Sequence, residues 1–93
     1  MPVGLLTLEI EIPEAHSLKD KRQVLRSLKD RLRHRFNVAV AELEHHDVWQ
    51  SSTVGIVTIS NSAAHATQQL ETVLKDAERL LERCLVAYEI EIL

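Results

Sequence analysis

Eight of the eleven Lys and Arg residues fall between Leu18 and Arg35, where Asp20 and Asp30 are the only acids. That segment carries about +6 and the rest of the chain about −9, so a net charge of −3 conceals a strong polarity. At the helical turn of about 100° per residue, Lys19, Arg22, Arg26, Lys29 and Arg33 fall within a sector of about 80°, a continuous basic ridge beside the apolar stripe. Like charges three and four residues apart repel by a few tenths of a kcal/mol per pair, and Lys19, Lys21 and Arg22 oppose the positive end of the helix dipole. Local helix stability therefore does not account for the pattern. Contact with phosphate does, through Lys19, Lys21, Arg22, Arg26, Lys29 and Arg33, with a nucleic-acid backbone as the partner class. The competing account neutralises this face within the protein, through Glu14, Glu42, Glu44 or Asp47, or against a partner subunit.

Other residues with chemical capacity are scattered. His45, His46 and Asp47, with His16 nearby, offer ligand types suited to zinc or nickel. Adjacent strand residues point to opposite faces, so the two histidines share an ion only if the chain bends, and the segment reads as a polar turn with no metal assigned. Trp49 reads as a hydrophobic clamp at that turn in preference to a ring for stacking bases. The single Cys84 excludes an internal disulfide and reads as a small buried hydrophobe in a strand. Glu9, Glu11, Glu89 and Glu91 resemble catalytic carboxylate pairs only on paper, since all four fall on the open face of neighbouring strands. With two glycines, no phosphate loop and no nucleophile elbow, the chain offers no catalytic signature and no cofactor site.

The elements that must position these residues follow from periodicity. Residues 3–12 alternate, with Leu6, Leu8, Ile10 and Ile12 on one side, and Pro13 ends the strand. Ser17 and Asp20 have the spacing of a capping box, and Leu18, Leu25, Leu28, Leu32 and Phe36 recur at helical intervals, predicting a helix over Leu18 to Arg35. Val38 and Val40 begin a second strand and Val54 to Ser60 form a third, joined as a hairpin. Asn61 or Ser62 caps a second helix ending near Arg83, and Leu85 to Ile92 alternates again. Two β-α-β units with right-handed crossovers give an α+β, ferredoxin-like βαββαβ sandwich: a four-stranded antiparallel sheet of order 4-1-3-2 with two helices on one face, one domain over residues 1–93. This topology gathers His16, the start of the first helix and the segment containing His46, Trp49 and Gln50 at one end of the sheet, with His65 at the other.

The open sheet face is expected to present Leu5, Thr7, Glu9, Val54, Ile56 and Thr58, without the exposed aromatics of an RNA-stacking sheet. An aliphatic surface of that kind suits a second copy of the chain. No apolar run approaches the roughly 18 residues of a membrane span, and no signal-peptide pattern opens the chain, so a cytoplasmic protein is expected.

Val3-Gly4-Leu5-Leu6, His16-Ser17-Leu18-Lys19-Asp20-Lys21-Arg22, Phe36-Asn37-Val38, Asp47-Val48-Trp49-Gln50 and Gly55 together resemble the bacterial YlxP-like family of unknown function. The resemblance spans nearly the whole chain; the family pattern has Glu where this chain has Asp20. It implies the same fold and, through gene neighbourhood with transcription and translation factors, a role near RNA or the ribosome, while bringing no catalytic residues. The expected function is thus a non-enzymatic RNA- or ribosome-associated domain working through the basic helix. A homo-oligomeric scaffold or regulatory module pairing through the open sheet face is the alternative.

Overall fold

In β1 (Val3–Glu11) alternate side chains are buried, and a computed structural model describing residues 1–93 shows why: Leu6, Leu8 and Ile10 enter a core shared with two helices, while Leu5, Thr7 and Glu9 lie on the other face. Helix α1 (Leu18–Arg35) begins where Ser17 adopts extended backbone and its hydroxyl accepts the Asp20 N–H at 3.1 Å. The Asp20 carboxylate reaches back to the His16 N–H at 2.9 Å, so both sides of the cap are satisfied. β2 (Ala39–Glu44) and β3 (Ser51–Ile59) form the hairpin. Helix α2 (Ala63–Leu81) is capped by Ser62, and β4 (Leu85–Ile92) returns along β1.

The strand order is β2-β3-β1-β4, antiparallel throughout, which is the expected order seen from the opposite edge. The core joins Leu6, Leu8 and Ile10 of β1 to Leu28 and Leu32 of α1 and to Leu70, Val73 and Ala77 of α2. At one end of the sheet, the Ile12 N–H donates to the Gln50 carbonyl at 2.8 Å, and the Gln50 amide donates to the carbonyls of Pro13 at 2.9 Å and Ala15 at 3.3 Å. Gln50 therefore ties the hairpin to the loop that launches α1. His65, in the first turn of α2, lies at the opposite end of the sheet, as the topology requires.

Two local expectations are corrected. Val54, Ile56 and Thr58 lie on the helix-facing side, not the open one, because they pair with Leu8, Leu6 and Gly4 of β1. The outward residues of β3 include Val57 and Ile59, which are exposed. Nearly every residue of β3 is apolar or small, so alternation carries no phase there; pairing with β1 sets it, and a slip of one residue would invert the faces. Cys84 is half-buried in a 3-10 turn, Glu82–Cys84, and not in a strand: α2 stops at Leu81, and Glu82 takes positive φ of 51° to swing the chain into β4. No helix is long and apolar enough to cross a membrane.

The face assignment is open to a direct check. Ile56→Glu would bury a carboxylate at a fully enclosed site at a cost of several kcal/mol, comparable with the whole stability of a small domain, and should abolish the cooperative thermal transition seen by circular dichroism. Val57→Glu, one residue along, should retain that transition with stability changed by no more than about 1 kcal/mol.

Candidate functional site

Helix α1 divides its eight cations among three directions. Leu18, Lys21, Leu25, Leu28 and Leu32 are spaced three, four, three and four, so Lys21 occupies a place in the apolar stripe. It is only 1% exposed, the largest of the fully buried side chains. Its ammonium lies 2.7 Å from Glu42 Oε2 and donates to the backbone carbonyls of Ser51 at 3.2 Å and of His45. Three N–H groups thus meet three acceptors, the full capacity of a lysine. Lys21, expected among the phosphate-contacting cations, is therefore withdrawn from that set: its charge is spent on the hairpin, and no face of it is open to a ligand.

Arg31 and Arg35, four residues apart on the opposite flank of the stripe, straddle Asp76 of α2, at 3.7 Å and 2.7 Å respectively. Asp76 is buried, and this bridge locks the two helices together. The sequence signal for it is faint: Asp76 falls three residues after Val73 and next to Ala77, inside the apolar stripe of α2 where a lone carboxylate needs a partner.

The remaining five cations are Lys19, Arg22, Arg26, Lys29 and Arg33, the ridge itself, and none of them has an acidic partner within 4 Å. Four of them, Arg22, Arg26, Lys29 and Arg33, line a groove of about 390 Å³ between α1 and the edge strand β2, floored by Leu25, Val40 and Val54. Two carboxylates, Asp30 and Glu42, also line it. Of the acids expected to neutralise this face, only Glu42 pairs with a helix cation, and that cation is Lys21.

Glu42 is the hinge of the site. Its Oε2 also accepts the Ser52 hydroxyl at 2.6 Å. Partial burial pushes its pKa up, but the hydrogen bonds from Lys21 and Ser52 and the positive charges of Lys21 and His46 outweigh that and hold it below the ordinary carboxylate range. His46 turns back over the strand edge, its ring nitrogen 3.2 Å from the Glu42 carbonyl. His45 has φ of 67° and lies 3.9 Å from Glu44, so the adjacent histidines diverge. Trp49 is 50% exposed at the hairpin end and does not act as a buried clamp; His16 is exposed at the cap of α1. The accessory residues His16, His46, Trp49 and Gln50 do share one end of the sheet and all four are exposed, with the Gln50 amide also bonded to the loop before α1.

Lys21→Met should keep the fold but lose about 3 kcal/mol, because Glu42 is left charged without its partner. Since Glu42 has a depressed folded pKa, its contribution is fully present above its unfolded value of about 4.5 and is lost as pH falls through the folded value. Urea denaturation should therefore show the gap between wild type and Lys21→Met steady near neutrality and shrinking below about pH 4.5.

Comparison with known proteins agrees with this architecture. The chain is 36% identical over 72 residues to the uncharacterized protein YlxP of Bacillus subtilis (strain 168), a match covering 77% of this chain and 78% of the relative. Its fold is similar to that of Rv0793 from Mycobacterium tuberculosis, with a TM-score of 0.59 at 12% identity, covering 100% of this chain and 93% of that one. It is also similar to the de novo designed ferredoxin-fold protein LFR1 1, with a TM-score of 0.55 at 10% identity, covering 100% and 83%. At such identities these two likenesses concern the fold alone. Residues 3–90 match the profile of the family described as protein of unknown function (DUF503), and to that YlxP-like family the chain belongs.

Proposed function

We propose that the protein is a non-enzymatic, cytoplasmic RNA- or ribosome-associated domain that engages phosphate through Lys19, Arg22, Arg26, Lys29 and Arg33. The observation that carries this reading is the division of the α1 cations: Lys21, Arg31 and Arg35 are held by acids of the protein itself, and the five left unpaired are the five that share one side of the helix. Unpaired like charges in a row cost the isolated protein stability, and a polyanion is the partner that turns this cost into affinity by releasing its counterions. The ridge runs about 21 Å from Lys19 to Arg33 at 1.5 Å per residue, longer than any single small anion.

With five phosphate contacts, log affinity for RNA should fall with log salt at a slope of about 3 to 5. Reversing Arg22 and Arg26 to Glu should weaken binding more than tenfold and reduce the slope, with the thermal transition unchanged. Salt-independent binding, or no binding at low salt, would remove the proposal.

A second reading rests on the open sheet face. Leu5 and Val3 pair with the exposed Val57 and Ile59, and beside them Ala39, Ala41 and Leu43 complete a shallow apolar surface suited to a second copy of the chain. Light scattering should then give a mass above the monomer for wild type and the monomer mass for Val57→Glu; a monomer in both cases excludes it.

A further inference from the structure

The groove beside the ridge carries more information than its charge, and from it we infer that the RNA bound is an unpaired strand, its phosphates on the α1 cations and its bases turned into the cleft between α1 and β2. This rests on the phosphate-binding reading above and adds the substrate class and the residues that meet the base.

Four features distinguish an unpaired strand from a duplex. The floor of the cleft is aliphatic: half-buried Leu25 presents its side chain there, above the core side chains of Val40 and Val54. A duplex stacks its bases inside and offers sugars and phosphates, which gain nothing from such a floor; an unpaired base has an apolar face to lay on it. Asp30 and Glu42 stand inside an otherwise cationic groove, where they would repel phosphate. Glu42 Oε2 is taken by Lys21 and Ser52, and Oε1 has no partner in the protein, so it and the exposed Asp30 offer acceptors of the kind that meet the amino groups of bases.

The third feature is the sheet edge. β2 is the outermost strand, so one side of its backbone has no strand neighbour and presents donors and acceptors beside the cleft. An unpaired base carries donors and acceptors on its exposed edge and can pair with such a backbone. His46, on the Glu42 carbonyl, closes the upper end of that run. The ridge is straight along α1, whereas a duplex backbone coils away from a straight row; a flexible single strand follows it.

Fluorescence anisotropy on the full chain tests this with three probes at one salt concentration: a short labelled RNA strand of mixed sequence, the same strand annealed to its complement, and an abasic strand with the same number of phosphates. The unpaired strand should bind about tenfold tighter than either of the others. Asp30→Lys, on the exposed helix surface, should improve abasic binding and narrow the ratio between the two single strands. Equal affinity for all three probes would leave phosphate binding standing and overturn the assignment of bases to the cleft. Binding of none would overturn both. Displacement of the strand by polyglutamate as readily as by unlabelled RNA would overturn it as well, giving the groove to an acidic extended peptide that adds to β2.

Discussion

The buried ammonium of Lys21 holds together the end of the molecule on which the rest of the site depends. It joins the first turn of α1 to the end of β2 through Glu42, to the start of the hairpin turn through His45, and to the start of β3 through Ser51. A charge taken out of water is tolerated only when it is paired and its hydrogen bonds are all made, and here both conditions hold. Such a contact does more to specify geometry than to add net stability: it fixes how the hairpin sits against α1, and with it the width of the groove between that helix and the edge strand. Gln50 performs the complementary task from the hairpin side, using one amide to fasten two carbonyls of the loop before α1.

The same helix shows how one composition can serve separate ends. Its apolar stripe, with Lys21 embedded in it, faces the sheet; Arg31 and Arg35 on one flank tie it to Asp76 of α2; the ridge on the other flank is unpaired. The molecule's negative charge lies elsewhere, including Glu9, Glu11, Glu89 and Glu91 on its strands. The result is a domain whose net charge is negative but whose local field along α1 is positive, and association with a polyanion responds to the local field.

Much of the fold was legible because its signals are local. The alternation in β1 and β4, the Ser17 and Ser62 caps and the leucine spacing of α1 each depend on side chains a few residues apart, and α1 and β4 appear with the bounds read from the sequence. β3 was legible as a strand but not in its phase, since it is apolar or small on both sides and pairing with β1 alone sets which side is inward. β2 and β3 also extend further into the polar hairpin than hydropathy suggests, because Glu42 and Ser52 are bonded to one another across the strands.

By itself, then, the sequence determined the order of elements, the sandwich that right-handed crossovers make of them, and the concentration of positive charge on one helix, all of which follow from periodicity and composition. Only the tertiary structure decided which of those charges are free. Lys21 and Arg22 are neighbours of the same sign; helical spacing sets Lys21 in line with the apolar stripe, but a charge there is stable only with a partner, and that partner, Glu42, lies 21 residues beyond Lys21 in the chain and arrives beside one and not the other. Asp76 does the same for Arg31 and Arg35 from the second helix. Ion pairing acts through space over a few ångströms, so the assignment of partners, and with it the outline of the unpaired ridge, exists only once the chain has folded.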